Sequence, residues 1–215
     1  MILFAGYRDW ALRVFRHVDK SVEVVKNTQD LKIAVSSNKE ITAIIFVGWS
    51  WIVPDEIINS IECVCYHPSD LPKYKGGSPI QNQVIDGITA TNATLFLMTK
   101  TIDAGPFFGK HPISLDGDLT TIFESLSFSA SLLIYKYIEQ VRSLEPRKFL
   151  EQNPELGFVR KRRTPEESEI TLEDILNQKG EALLRKILVL ADPYPNAFIR
   201  TADGKKLVLK EVILK

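Results

Sequence analysis

The sequence holds only two cysteines, Cys63 and Cys65, in 215 residues. They stand two apart in an apolar stretch that reads as a strand, where alternate side chains share a face. A bridge at that spacing would be strained, and the neighbouring residues offer too few further ligands for a metal. Two reduced, buried thiols are therefore expected, and no metal. Net charge is also missing, since Lys+Arg and Asp+Glu each number 27. Proteins that hold nucleic acid usually carry a basic excess, so nucleic acid is not expected as a partner. No apolar run approaches the ~18–20 residues that span a bilayer, so no membrane partner is expected either. The apolar start MILFAGYRDW has no basic region before it. It reads as a first strand rather than a signal peptide, and a cytoplasmic location is the expectation. What remains is 45% hydrophobic and 25% charged residues. That is an ordinary globular composition, which excludes a disordered or collagen-like chain.

Strand and helix patterns alternate along the first half. Ile2–Ala5 is a short apolar run stopped by Gly6, and Trp10, Ala11, Val14 and Phe15 then recur at helical spacing. Val22–Val25 fits a second strand. Ile41–Val47 is apolar almost throughout, as in a strand covered on both faces of a parallel sheet. Pro54 opens a helix over Asp55–Ser60, and Ile61–Tyr66 is a further strand. His67–Gly77 is a loop with two prolines and a Gly-Gly pair. Ser78 and Pro79 start a helix to Ile85. Thr94–Met98 is a strand, Thr99–Gly105 a loop, and Leu119–Val141 a long amphipathic helix with a Thr121–Glu124 capping box. The fold class expected is α/β, with a mainly parallel sheet flanked by helices. Three units follow: 1–142 as the main domain, 143–170 as a linker, and 171–215 as a small α+β appendage. In the linker, the basic run Arg160–Arg163 reads as a solvated face. In the appendage, Leu172–Leu190 is helical, and Phe198–Arg200 and Lys206–Leu214 pair through a turn at Asp203-Gly204.

Of three histidines, His17 falls on a helix surface and His111 in a turn before Pro112. His67 ends a strand, where open α/β sheets bind ligands. Asp103 lies in the loop after another strand. It is either the partner of His67 in an acid/base unit or a turn former before Gly105. Trp49 and Trp51, in GWSWIVP after a buried strand, either face a flat heterocycle or cap the core. Gly76-Gly77-Ser78 offers backbone N–H groups to an anion. It is no Walker loop, and with only Gly6 in the first turn no nicotinamide cofactor is expected.

Read together, HPSDLPKYKGGSPIQNQVIDG resembles the central motif of the formyltransferases that use 10-formyltetrahydrofolate, a family that includes methionyl-tRNA, glycinamide ribonucleotide and sugar N-formyltransferases. Asp103-Ala104-Gly105, thirty-six residues after His67, fits the family's Asp-x-Gly. The likeness runs from about Met1 to Pro106. It implies a Rossmann-like domain and transfer of a formyl group from the folate to a primary amine, with His67 and Asp103 as the acid/base pair. It implies a folate pocket formed by Trp49, Ser50, Trp51, Ile52, Val53 and Pro54 on one side and Thr101 and Ile102 on the other. The family's oxyanion-binding Asn is Cys65 here, a weak donor. Ser69, Asp70 or a backbone N–H would have to replace it, or catalysis would be weak. RKRRTPEESEI and DPYPNAFIRTADGKKL look like stretches of the sugar-type enzymes. A nucleotide-linked amino sugar is therefore the acceptor expected, with Asp70, Lys73, Lys75, Gly76, Gly77, Ser78 and Gln81 around it and the two lysines on its diphosphate. The alternatives are a folate- or nucleotide-binding homologue with little turnover, and methionyl-tRNA as acceptor. The terminal hairpin offers an edge for a homodimer.

Overall fold

The computed structural model describes residues 1–19, 23–143 and 146–215. Val22 of the expected second strand and Glu145 of the expected linker lie outside the described residues. The first half runs β1 (Ile2–Ala5), α1 (Asp9–Val18), β2 (Glu23–Val25), α2 (Thr28–Ser37), β3 (Ala43–Val47), α3 (Asp55–Ser60) and β4 (Glu62–His67). After it come β5 (Lys75–Gly76), α4 (Pro79–Ile85), β6 (Ala90–Leu97), β7 (Phe107–Ser114) and α5 (Leu119–Arg142). Beyond α5 lie β8 (Val159–Arg160), α6 (Leu172–Asn177), α7 (Gly180–Val189), β9 (Phe198–Arg200) and β10 (Lys206–Val208).

Six strands form the central sheet in the order β2-β1-β3-β4-β6-β7. The first four are parallel, and β6 and β7 continue antiparallel. The expected α/β, Rossmann-like architecture is therefore present, with a mixed sheet. Side chains alternate across it as the pleat requires. Leu3, Ala5, Ile44 and Phe46 meet Val25, Leu31 and Ile57 on the face covered by α2 and α3. Phe4, Ile45, Val47 and Tyr66 meet Trp10, Val14, Ile122 and Leu126 on the face covered by α1 and α5. Each large apolar side chain fully buried there contributes about 1.5–3 kcal/mol. Ile187, Val189 and Phe198 join that second cluster, so the C-terminal segment shares a core with the sheet. Among the described residues no helix is long and apolar enough to cross a membrane.

Several local expectations are corrected. The sequence reading passed over α2, which buries only Leu31 and Ala34, too few for a visible stripe. Its signal is Asn27, whose side chain accepts the N–H groups of Gln29 and Asp30. β7 also went unseen because FFGKHPIS carries Gly and Pro. It is an edge strand, where Pro112 costs no ladder bond, and His111 lies in it rather than in a turn. α5 is capped by Asp118, which accepts from Thr121 N at 2.8 Å. Thr121 is already inside the helix and makes no capping box. The stretch Leu172–Leu190 is two helices, since Gln178 and Lys179 are extended. β10 ends at Val208, well short of Leu214.

Candidate functional site

A cleft opens over the carboxyl ends of β1, β3 and β4, the place where parallel strands leave room for a ligand. Its volume is about 390 Å³, within the usual range for small-molecule sites. The floor follows from strand register. Phe46 pairs with Cys65, and Cys65 with Phe96, so these three side chains form one transverse row in the cleft. His67 stands two residues beyond Cys65 and so projects from the same face.

His67 is 6% exposed. Its Nδ1 faces Asp103 Oδ2 at 3.5 Å, and its Nε2 lies 2.9 Å from the carbonyl oxygen of Tyr74. A carbonyl can only accept, so Nε2 carries a proton. Nδ1, the other ring nitrogen, faces the carboxylate that orients the imidazole. Asp103 Oδ2 also accepts the N–H of Gly76 at 2.7 Å. The pair thus ties the β6–β7 loop to the loop that follows β4.

Three residues other than glycine have left-handed φ, namely Tyr74 (54°), Ser78 (51°) and Asp103 (52°). All three lie in these two loops. Such conformations cost of order 1–3 kcal/mol each and gather where a side chain must be aimed. Gln152 holds the Asp103 loop from outside, its Nε2 donating to the carbonyls of Asp103 (3.1 Å) and Gly105 (2.6 Å). At Gly105 an added Cβ would lie 1.8 Å from the carbonyl oxygen of Leu97. Gly105→Ala is therefore expected to destabilise the protein by about 3 kcal/mol, a fall in Tm of roughly 6–12 °C by calorimetry. An unchanged Tm would mean that the loop is freer than this contact implies.

The structure brings some of the expected site residues together and separates others. Cys65, His67, Asp103, Trp49, Ser50, Trp51, Ile52, Val53, Ile102, Gly76, Gly77 and Gln81 all line the cleft. Pro54 and Thr101 do not form part of its wall. Trp51, Ile52 and Ile102 are exposed, Ile52 by 85% and Ile102 by 62%. These apolar side chains stand on two loops that line the cleft, where Trp51 packs against Tyr7 (4.6 Å) and Trp49 (4.9 Å). Both thiols are free. Burial, with Glu62 as a lesser cause, pushes Cys63 up to about 12. Burial first, then the charge of Asp103, raises Cys65 further, so its thiol stays protonated.

The residues expected around an acceptor need correction. Lys73 and Lys75 are not in the cleft wall. β5 pairs with β8, and the Lys75 N–H donates to the Phe158 carbonyl at 3.1 Å while the Gly76 N–H turns to Asp103. Asp70 is held 2.7 Å from Lys110 Nζ, outside the cleft. Ser69 is fully buried and donates to the Lys73 carbonyl at 2.7 Å. Ser78 makes no side-chain cap; its Oγ accepts the N–H of Arg163 at 3.1 Å. Arg160, Lys161 and Arg162 are exposed, as expected of a solvated face, yet the backbone of this run also straps the motif loop. Gly77 N donates to the Arg160 carbonyl at 2.9 Å, and a Cβ on Gly77 would lie 2.3 Å from Arg162 Cα. Sequence reasoning missed Arg8, Arg162 and Tyr194, which also line the cleft. They come from the first turn, the strap and the C-terminal segment, and no local spacing relates them.

A family model described as formyl transferase matches residues 13–127, more than half of the chain. A methionyl-tRNA formyltransferase from Nitratiruptor sp. is 33% identical over 105 residues, 48% of this chain and 35% of that protein. The chain spans about a third to two fifths of the length of such curated relatives. Among solved structures, a methionyl-tRNA formyltransferase from Clostridium thermocellum is 27% identical with a TM-score of 0.79, over 99% of this chain and 98% of the other. A 4-N formyltransferase from Francisella tularensis is 16% identical with a TM-score of 0.77, over 100% and 98% of the two chains. That second likeness is one of fold.

Proposed function

The chain belongs to the formyl transferase family, and on that premise we propose that its cleft moves a formyl group from 10-formyltetrahydrofolate to a primary amine. The observation that carries this reading is the buried pair His67–Asp103 in a cleft also lined by Trp51, Ile52 and Ile102. Exposed apolar side chains of that kind suit a pterin ring. 10-Formyltetrahydrofolate would supply a formyl carbon already activated on a folate nitrogen. Attack by the amine puts negative charge on the formyl oxygen and a proton in excess on the amine nitrogen. His67 Nε2, held by the Tyr74 carbonyl in the free protein, would exchange that contact to donate to the first or relay the second, while Asp103 at Nδ1 keeps the ring oriented. When the C–N10 bond breaks, the folate nitrogen takes up a proton and the amine leaves as a formamide.

The acceptor we favour is a nucleotide-linked amino sugar. A cleft of about 390 Å³ containing the His–Asp pair fits a small molecule, and sugar-type enzymes share the fold. Two other readings keep specific support. The curated relatives are methionyl-tRNA formyltransferases, and Cys65, where the resemblance expects Asn, suits a folate-binding homologue with little turnover.

The test has two stages. Tetrahydrofolate is titrated against tryptophan fluorescence, which Trp49 and Trp51 are expected to lose on binding. The protein is then incubated with 10-formyltetrahydrofolate and, in turn, nucleotide amino sugars and methionyl-tRNA, with formamide read by mass. Formylated nucleotide sugar is the expected product. Formylation of methionyl-tRNA alone would replace the acceptor. Folate binding without product would favour the low-turnover reading, and absence of folate binding would overturn the proposal.

A further inference from the structure

Four of the arginines already have acidic partners: Arg142 pairs with Asp19, Arg147 with Glu62, Arg160 with Asp86, and Arg200 with Glu166 and Glu169. Arg8 and Arg162 have no carboxylate partner among the described residues, yet both line the cleft. Arg8 lies over the ring of Tyr194, 4.7 Å from its centroid, and over Tyr7 at 5.1 Å. Arg162 donates to the Ser50 carbonyl at 3.3 Å, which holds it above the same end of the cavity. Arg8, Gln81, Arg162 and Tyr194 all line the cleft, and Arg8 bridges the rings of Tyr194 and Tyr7. Gln81 is 4% exposed, and its Nε2 has no hydrogen-bond partner of proper geometry. Tyr7 donates to Ser50 Oγ at 2.8 Å, which joins the cluster to the Trp49–Val53 loop.

Two guanidinium groups around one phenol repel each other, and leaving a buried amide N–H₂ unpaired is costly. One anion with several oxygens would offset both, taking charge-assisted bonds from the arginines and neutral ones from the amide. We infer that Arg8 and Arg162, with Gln81 and Tyr194, form an anion subsite of the cleft that takes the phosphate of a phosphorylated small-molecule amine. The subsite and the His67–Asp103 pair open into one cavity of about 390 Å³, so anion and reacting amine belong to one small molecule. The chain's zero formal charge argues against a polyanion spread over its surface. The subsite replaces Lys73 and Lys75 as the diphosphate contact. The link to an amine rests on the proposed formyl transfer, whereas anion binding can be tested without it.

Inorganic pyrophosphate is the first probe, titrated by calorimetry into the whole chain. Arg8→Gln and Arg162→Gln are each expected to weaken it at least tenfold, Arg8→Lys less, and Arg13→Gln on the outer part of α1 not at all. Each variant's Tm reports folding. For Arg8→Gln, tetrahydrofolate affinity is expected to stay within threefold, which sets the subsite apart from the folate loop; Arg162→Gln also frees the Ser50 carbonyl of that loop and is read by pyrophosphate alone. In the transfer assay Arg8→Gln is expected to raise KM at least tenfold for a phosphorylated amine and much less for the dephosphorylated one. Pyrophosphate binding that ignores both substitutions would overturn the inference, as would competition between pyrophosphate and methionyl-tRNA with no small amine accepted. If pyrophosphate binding depends on the two arginines while tetrahydrofolate fails to bind, the formyl-transfer reading falls and the subsite stands.

Discussion

His67→Ala is expected to lower kcat for formyl transfer about 10²–10⁴-fold while tetrahydrofolate still binds with its ordinary affinity. The imidazole is the one histidine ring in the cleft wall, and burial holds the thiol of Cys65, two residues before it on β4, in its protonated form. The companion variant separates chemistry from folding. Asp103 sits at φ 52°, a conformation that asparagine adopts readily. In Asp103→Asn the side-chain oxygen can still accept the Gly76 N–H, now 2.7 Å away. What is lost is the charge that favours a protonated His67. Asp103→Asn should therefore fold with nearly the parental Tm, yet lose kcat by about 10–10³-fold. Single-turnover mixing with saturating donor reads both effects. An alanine variant within threefold of the parent would remove His67 from the chemistry. A large fall in Tm for Asp103→Asn would mean that the carboxylate mainly holds the loops together.

Much of this geometry is legible in the sequence, for physical reasons. A strand covered on both faces must be apolar along its length, so β3 announces itself as AIIFV. The Pro- and Gly-rich loop after β4 is equally plain, and its spacing to Asp103 carries the family likeness. Elements with thin signals were missed. α2 buries two residues, and β7 is an edge strand that keeps a proline. The lysines of the motif loop misled because charge was weighed without direction. Neither lysine lines the cleft, and the stretch that carries them is shaped by pairing with residues 159–160. Arg162 and Tyr194 reach the cleft from beyond α5, and Gln152 reaches the Asp103 loop behind it, so their convergence is a product of the tertiary fold. It has no counterpart in any local pattern.

The second large effect concerns position 65, where substitution by asparagine is expected to raise kcat about 10–10²-fold, rather than lower it. The reasoning starts from what the cleft lacks. The Cys65 side chain stands between Phe46 and Phe96, two residues before His67. Its nearest polar contact is the Tyr66 carbonyl at 3.9 Å, and burial keeps its proton in place. A thiol is a weak donor. Ser69 and Asp70, which might have served instead, are spent on Lys73 and Lys110. An asparagine amide at the same point of the row would add a firm N–H donor toward the formyl oxygen. In the free protein that amide would have no partner, at a cost of about 1–3 kcal/mol. Cys65→Asn should therefore have a lower Tm alone and recover it when donor is bound. A faster, less stable variant would identify Cys65 as the residue that limits turnover. An unchanged or slower rate would place the oxyanion contact on a backbone N–H, and would make the native thiol a matter of packing between two phenyl rings.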